Sequence, residues 1–203
     1  MHVIEFDAYG VIAHGLNLHD ANMAPPSDSG FSFAVSHDLG GGRFKAETLC
    51  PQFSETVFNV TLEDLSCDGV VDLVACGQEG IYLIEGQPDG MFPSPARLAW
   101  RAPEKVLDPM VLTTGDIDGD GDADLWLSQY KLPYVKGQMP TPIYDANDGF
   151  PGYLLLNDGS GNLSDATAAA GLATKRHRRS YSASFADIDN DLDLDLTLSL
   201  IHI

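Results

Sequence analysis

The sequence predicts an all-β protein, a partial β-propeller of four-stranded antiparallel blades. An aspartate-rich segment followed by alternating apolar residues occurs three times, beginning at residues 64, 116 and 187. Strand-like segments with a period of two flank each copy, which is typical of half-buried strands. A unit of about four strands that recurs along a chain is typical of a propeller blade.

The elements of each unit follow one order. A strand precedes each aspartate segment (residues 56–62, 110–114 and 181–185), and a second strand follows it. Two further strands flank a glycine-rich turn, as in residues 81–92 and 153–163, because glycine accepts the positive φ of tight turns. We expect little helix, with one short candidate at residues 165–170.

These units divide the chain. Residues 1–30 are expected to be an irregular leader or the remnant of a preceding blade. The remainder comprises a partial blade at 31–50, a blade at 55–100, a blade at 110–167 with an insertion at 129–151, and a truncated blade at 180–203. Since propellers typically close with four to eight blades, we expect a fragment of a larger ring.

Composition narrows the range of partners. The 203 residues carry 30 acidic and 11 basic side chains, a formal charge of -19. Such a chain is repelled by nucleic acid phosphates and by anionic membrane surfaces, so we expect no nucleic acid partner. No apolar run reaches membrane-spanning length, so no membrane insertion is expected either. A metal cation is the expected partner for such an excess of negative charge. The hydrophobic content of 44% is high enough for a folded domain.

The second aspartate segment has the spacing of a calcium loop. Numbered from Asp116, carboxylates occupy positions 1, 3, 5, 7 and 9, and Gly121 occupies position 6. Calcium takes six to eight oxygen ligands, often including a backbone carbonyl at position 7. The predicted ligands are the side chains of Asp116, Asp118, Asp120 and Asp124 and the carbonyl of Asp122. Without a cation, two such charges about 4 Å apart repel by about 4 kcal/mol at an effective dielectric near 20, so the metal-free loop is expected to be disordered.

Two alternatives compete with this interpretation. An EF-hand requires a glutamate at position 12 and flanking helices, whereas Leu127, Leu198 and Ala75 stand there in strand-like segments. A solvated acidic surface does not explain why the aspartates alternate and recur at the same place in each unit. We therefore favour calcium.

The third and first segments depart from this pattern. The third offers Asp187, Asp189, Asp191, Asp193 and Asp195, but Leu192 replaces the glycine, and a bulky residue at positive φ is strained. The first offers Asp64, Ser66, Asp68 and Asp72. With one carboxylate fewer, the first segment is expected to bind calcium more weakly or to be a structural turn.

Other features support more than one interpretation. The insertion contains aromatic residues and prolines that form either a binding surface or a decoration packed on its own blade: Tyr130, Pro133, Tyr134, Met139, Pro140, Pro142 and Tyr144. The basic run at 175–179 either binds an acidic polysaccharide or, as we favour, offsets nearby aspartates. His14, His19 and Asp20 make a weak case for a transition metal. Asn59 and Asn162 fit the glycosylation pattern but lie in a predicted strand and a tight turn.

The aspartate segments, the turn NDGSGNL and the segment DATAAAGL together resemble the FG-GAP/VCBS repeat family, over residues 31–199. That family includes integrin-type α-propeller blades and the cartilage acidic protein group. The resemblance implies a propeller of seven or eight blades that is extracellular or periplasmic. It also implies that calcium is structural and that one face binds protein or carbohydrate. The aspartates of the second and third segments match the ligand positions of the family.

We therefore expect a non-enzymatic calcium-binding module for adhesion or ligand binding. The sequence contains no GxSxG, HExxH, CxxC or phosphate-binding glycine motif. One alternative is part of a propeller-type lyase or hydrolase acting on acidic polysaccharide, which needs convergent acid and base groups in a cleft. Another is a purely structural spacer.

Overall fold

The structure is a computed structural model that describes residues 43, 53, 57–93, 95–131 and 147–200, and four strands nearer the N-terminus by their backbone alone. The strands are β1 (His2–Ala8), β2 (Val11–Ala13), β3 (Ser32–Asp38), β4 (Phe44–Leu49), β5 (Val57–Glu63), β6 (Asp72–Gly77), β7 (Gly80–Ile84), β8 (Arg97–Arg101), β9 (Pro109–Gly115), β10 (Asp124–Gln129), β11 (Tyr153–Asn157), β12 (Leu163–Asp165), β13 (Ser180–Ala186) and β14 (Asp195–Leu200).

These strands form antiparallel sheets, as the sequence predicts. The second sheet has the order β5-β6-β7-β8 and the third the order β12-β11-β10-β9, so both are simple meanders of four strands. Corresponding residues hold corresponding places, since Leu73 pairs with Leu62 and Ile84, and Leu125 pairs with Thr114 and Leu155. All-β architecture and four-stranded sheets are confirmed, and the described residues form no closed barrel.

The first sheet shows a difference from the sequence-based division. Residues 1–30 are predicted to be an irregular leader or the remnant of a preceding blade, yet β1 and β2 lie in one sheet with β3 and β4, in the order β2-β1-β3-β4. Ile4 pairs with Val35, and Phe6 with Phe33. Strand β1 does alternate apolar residues, but no aspartate segment follows it, so the repeat pattern does not reveal it.

The main core lies between the second and third sheets. Strands β6 and β10 are buried along their whole length because neighbouring elements cover both of their faces. The Trp100 and Tyr153 rings meet there with centroids 4.7 Å apart. The fully buried aliphatic side chains of this core are Leu65, Val74, Ile81, Leu83, Val106, Leu125, Leu127 and Leu155. Each contributes about 1.5–3 kcal/mol of burial free energy, so the two sheets are expected to unfold together.

The fourth sheet contains β13 and β14, which flank the third aspartate segment. It packs on the third sheet at Gly115, where an added Cβ would lie 3.1 Å from both Phe185 and Leu194. Strand β9 contacts both β5 and β13. The three strands that precede aspartate segments therefore lie side by side, as the inner strands of successive propeller blades do.

The predicted helix at residues 165–170 is wrong. Its capping signals are present, since Asp165 accepts the Thr167 N–H at 2.9 Å and Gly171 has a φ of +77°. The N–H groups of Ala170, Gly171 and Leu172 bond to the carbonyls of Ala166, Ala168 and Thr167 respectively. These bonds span four, three and five residues, so they do not form the regular i to i−4 ladder of an α-helix. A 3-10 turn follows at Ala173–Lys175.

In the described part of the chain, no helix has the length and apolar character required to cross a membrane.

Candidate metal centres in the aspartate loops

The three aspartate segments are hairpin loops between paired strands. Loop 1 is residues 64–72, loop 2 is residues 116–124 and loop 3 is residues 187–195. Each loop begins after an inner strand and ends on the first residue of the next strand. The pair across the loop is Glu63 and Asp72 in loop 1, Gly115 and Asp124 in loop 2, and Ala186 and Asp195 in loop 3. The sheet therefore holds both ends of each loop.

All three loops share one backbone shape. Positions 4 and 6 have positive φ in each: 55° and 86° at Cys67 and Gly69, 76° and 98° at Gly119 and Gly121, and 63° and 78° at Asn190 and Leu192. The predicted strain at Leu192 is confirmed, because its side chain is 93% exposed and makes no packing contact that offsets the conformation. The common shape turns successive backbone N–H groups toward the interior of the loop.

The position-1 aspartate accepts those N–H groups. In loop 2, Asp116 accepts from Gly119 at 2.8 Å, and from Asp120 and Gly121 at 3.1 Å each. Asp187 accepts from the corresponding positions of loop 3. Asp64 accepts from positions 5 and 6 of loop 1. The first aspartate therefore organises the loop before any ion is considered.

Loop 2 brings three carboxylates to one centre. Asp116, Asp118 and Asp120 each offer an oxygen, and these oxygens lie within 4.8 Å of one another. Calcium–oxygen distances of about 2.3–2.6 Å put two ligands of one ion at most about 5 Å apart. The alternation therefore gives a shared centre of hard oxygen donors, and the three side chains do not point apart into solvent. This arrangement fits a calcium ion.

The two remaining aspartates of loop 2 behave differently. The Asp122 side chain points toward the β11–β12 turn, since an added Cβ on Gly159 would lie 3.2 Å from its Oδ2. Its Oδ1 is buried without a hydrogen-bond partner. Burial and the charges of Asp120 and Asp124 raise the pKa of Asp122 to about 6. The predicted role of its backbone carbonyl as a ligand stays a prediction.

Asp124 is an anchor between the loop and the sheet. It is 1% exposed, and its two oxygens accept the Ile117 N–H at 3.0 Å and the Asn157 N–H at 2.9 Å. Burial raises the pKa of Asp124, while the two hydrogen bonds oppose that rise. A buried carboxylate in such bonds fixes the loop against β11.

The same anchor occurs in the other loops. Asp72 accepts the Ser66 N–H at 2.9 Å and the Gly86 N–H at 3.0 Å, and Asp195 accepts the Ile188 N–H at 3.1 Å. The sequence predicts position 9 only as a ligand. Alternation alone does not reveal the anchoring role, because the second N–H comes from Gly86 or Asn157, which lie 14 and 33 residues further along the chain than the aspartates they bind.

Loop 3 also gathers three carboxylates, but with different members. Oxygens of Asp187, Asp189 and Asp195 lie within 4.8 Å of one another. Asp191 accepts the Asp193 N–H at 3.3 Å, as Asp120 accepts the Asp122 N–H at 3.1 Å in loop 2. This backbone hydrogen bond and the side-chain contact with Asp193 lower the pKa of Asp191, while the same side-chain contact raises the pKa of Asp193. Loop 3 therefore offers a hard-donor centre built from position 9 rather than position 5.

Loop 1 differs from both, as its sequence predicts. The described residues of loop 1 include no comparable trio of carboxylates. Ser66 stands at position 3, and its hydroxyl oxygen is buried without a hydrogen-bond partner. Loss of hydration and the charges of Asp122 and Asp64 raise the pKa of the exposed Cys67 thiol.

Two polar links join the bases of loops 1 and 2. The Thr114 hydroxyl donates to Glu63 Oε2 at 2.6 Å. The Asn157 amide donates through Nδ2 to the Leu65 carbonyl at 2.9 Å. The sequence suggests neither link, because each joins residues of different sheets.

The insertion and the basic run are tied together. The Arg179 guanidinium donates to both oxygens of Asp148, at 2.8 and 2.7 Å, and Arg176 pairs with Asp165. This confirms that the run offsets nearby aspartates. Tyr130 is buried and packs edge-on against Tyr181, so it is not part of an exposed binding surface. The other residues proposed for that surface lie outside the described residues, at positions 133, 134, 139, 140, 142 and 144.

The remaining predicted features are the possible transition-metal ligands and the two asparagines that fit the glycosylation pattern. His14, His19 and Asp20 lie outside the described residues. The Asn59 amide donates to the Met110 carbonyl in the next sheet. The Asn162 amide donates to Asp158. Both asparagine side chains therefore have structural contacts.

Comparison with known proteins agrees with this architecture. Residues 64–127, which contain loop 1, loop 2 and the strands β6 to β9, match the FG-GAP-like repeat family. No curated protein matches the chain significantly. The matched segment begins on the first aspartate of loop 1 and includes every aspartate of loop 2, so the resemblance and the geometry concern the same residues. Residues 64–127 of this chain are therefore similar to an FG-GAP-like repeat.

Proposed function

We propose that the chain is a calcium-stabilised β-propeller module. The observation that carries the proposal is the convergence of Asp116, Asp118 and Asp120 on one centre, within 4.8 Å of one another. A second centre of the same chemistry in loop 3 supports it. Calcium is favoured because every donor in the two carboxylate trios is a hard oxygen.

The ligand sets follow from the positions. In loop 2 the ion is held by Asp116, Asp118 and Asp120, with the Asp122 carbonyl and Asp124 as further candidates. In loop 3 it is held by Asp187, Asp189 and Asp195, with Asp191 and the Asp193 carbonyl as further candidates. In loop 1 the candidates are Asp64, Ser66, Asp68 and Asp72. Bound calcium neutralises carboxylates that otherwise repel one another, so it stabilises the hairpins and the sheets that carry them.

The module is proposed to bind a protein or carbohydrate partner outside the cell, or in the periplasm, and to have no catalytic role. The FG-GAP-like repeat supports this class of function. Millimolar extracellular calcium suits loops of modest affinity. The acidic charge disfavours nucleic acid and anionic membranes as partners.

The test is calcium titration by calorimetry together with thermal unfolding in calcium and in chelator. We expect two strong sites and a melting temperature that rises with calcium. Each site should add about 2.7 kcal/mol of stability at a hundredfold excess of calcium over its Kd. The double variant Asp116→Asn/Asp118→Asn should lose one of the two sites.

The control is Glu104→Gln, which removes an exposed acidic charge outside the loops. It should keep both sites and the full thermal shift. Absence of binding heat, with the same melting temperature in calcium and in chelator, would refute the proposal. Equal loss in the control would mean that general charge rather than loop 2 attracts the ion.

A further inference from the structure

Loop 1 has the shape of a metal loop without the matching carboxylates. It shares positive φ at positions 4 and 6 with the other loops, including a φ of 55° at the non-glycine residue Cys67. Its described side chains do not gather three carboxylates as loops 2 and 3 do. Some other interaction has to hold this strained conformation, because a non-glycine residue at positive φ costs free energy.

Asn157 lies where such support is needed. It ends β11, is 8% exposed and uses every polar group of its side chain. Its Oδ1 accepts the N–H groups of Asp158 and Gly161, at 2.9 and 3.0 Å, which fixes the amide in one orientation. Its Nδ2 then donates to the Leu65 carbonyl at position 2 of loop 1.

The same residue is bound to loop 2 through its backbone. The Asn157 N–H donates at 2.9 Å to Asp124, the anchor at position 9. One buried residue therefore connects position 9 of loop 2 with position 2 of loop 1. A second hydrogen bond connects the same two loops. Thr114, two residues before loop 2, donates to Glu63, the residue before loop 1.

Among the described residues, this link joins only loops 1 and 2. In the second sheet, Gly86 occupies the place of Asn157 and donates its N–H to Asp72. An added Cβ there would lie 2.0 Å from the Val71 carbonyl oxygen, so that place admits no side chain. Between loops 2 and 3 the described contact at Gly115 is with the apolar side chains of Phe185 and Leu194.

We propose that Asn157 is a positioning residue through which calcium binding to loop 2 orders loop 1. The inference rests on the proposed function, since it needs an ion in loop 2. Calcium that stiffens loop 2 fixes Asp124, Asp124 fixes the Asn157 backbone, and the amide fixes the Leu65 carbonyl. Loop 1 then becomes ordered without needing a strong calcium site of its own.

The test is hydrogen exchange of the whole chain, read by mass spectrometry over loops 1, 2 and 3, in calcium and in chelator. In the parent we expect calcium to slow exchange in all three loops, in loop 1 by about fivefold or more, the lower end of typical coupling between sites. In Asn157→Ala, slowing in loop 1 should be lost while slowing in loops 2 and 3 persists, because alanine retains the backbone N–H to Asp124.

Two further variants complete the design. Asn157→Asp keeps the acceptor for Asp158 and Gly161 but has no donor for Leu65, so it should behave like Asn157→Ala even if alanine impairs folding. Ser160→Ala changes an exposed side chain of the same turn and should behave like the parent.

The outcomes separate the two proposals. Slowing in loop 1 that persists in both Asn157 variants, or that is absent from the parent while loop 2 responds, would overturn the inference and leave calcium binding intact. No calcium response in loop 2 of the parent would instead overturn the proposed function, and this inference with it.

Discussion

At the scale of the residue, each aspartate of a loop has its own surroundings. Asp116 accepts three backbone N–H groups, Asp122 has a buried oxygen without a partner, and Asp124 anchors the loop to β11. The residue type alone therefore does not determine what each aspartate does in its loop. One carboxylate can have both roles, since Asp116 accepts backbone N–H groups and also faces the shared centre of loop 2.

Leu192→Gly is predicted to stabilise the protein. A leucine at a φ of 78° is strained, and its 93% exposed side chain contributes little packing to compensate. Glycine removes the strain but has more freedom when unfolded, so the net gain should be about 0.5–1 kcal/mol. Urea unfolding in calcium measures it. Gly121→Ala at the same position of loop 2 should lose about 1 kcal/mol, and a loss of stability in Leu192→Gly would contradict the argument.

Asp122→Asn is predicted to stabilise the metal-free protein in a pH-dependent way. Burial and neighbouring aspartates raise the pKa of Asp122 from its ordinary value of 3.8 to about 6, so folding penalises its charged form. The parent is therefore disfavoured above about pH 6 and recovers as the pH falls toward 4, because the folded state binds the proton more tightly. The variant should melt higher than the parent near pH 7.5, and the gap should close near pH 4.5.

The control for that experiment is Asp89→Asn, in the exposed turn between β7 and β8. Both variants are compared with the parent over the same pH range, in buffer freed of divalent ions, so that a general effect of one lost charge is separated from the effect of Asp122. A gap for Asp122→Asn that widens as the pH falls would reverse the sign and reject the assignment of the raised pKa.

At the scale of the element, the β-hairpin is the unit that holds each aspartate loop in place. Its two strands hold the ends of each loop, and the position-9 aspartate links the loop to a third strand or to the turn beyond it. An ion pair also joins two elements that are distant in sequence. Asp148 and Arg179, 31 residues apart in sequence, form a bidentate pair that joins the end of the insertion to the start of β13.

Asp148→Asn is predicted to destabilise the protein by about 1 kcal/mol or somewhat more. The Arg179 side chain is only 11% exposed, so loss of its anionic partner leaves a largely buried charge poorly compensated. Arg179 lowers the pKa of Asp148, so the effect should persist over the neutral range and fade as the pH falls below about 4.

The matched control is Glu79→Gln, which breaks the ion pair with Arg101. Both of those side chains are well exposed, at 43% and 66%, so little change is expected. Urea unfolding of both variants checks the comparison. Equal effects of the two substitutions would mean that burial of Arg179 does not strengthen its ion pair.

At the scale of the whole molecule, charge and repetition set the conditions for folding. A net charge of -19 favours unfolding through self-repulsion, and the calcium proposed above would lower that charge at the aspartate loops. The inner strands of neighbouring sheets lie side by side, and Leu65 and Leu155 are buried between two sheets. Stability therefore depends on contacts between neighbouring units, as in other repeat architectures.

Much of this architecture was predictable because it depends on patterns among residues that are close together in the sequence. The alternation of apolar residues predicted β5, β6, β9, β10, β13 and β14 closely. The aspartate spacing named three side chains that do gather in loop 2, and a fourth, Asp124, that accepts two backbone N–H groups. The strain at Leu192 follows from its position in the repeat alone. The short helix was predicted wrongly because capping signals do not report whether a second turn forms.

The sequence by itself determined the repeat, the strand periodicity and the hard-donor character of the loops, since each depends on residues a few positions apart. Only the tertiary structure decided that Tyr130 is buried, that Asp124 is an anchor, and that Asn157 reaches a carbonyl 92 residues away. The physical reason is that these roles depend on which sheets become neighbours. Hydrogen bonds and burial between sheets leave no periodic signal in the chain.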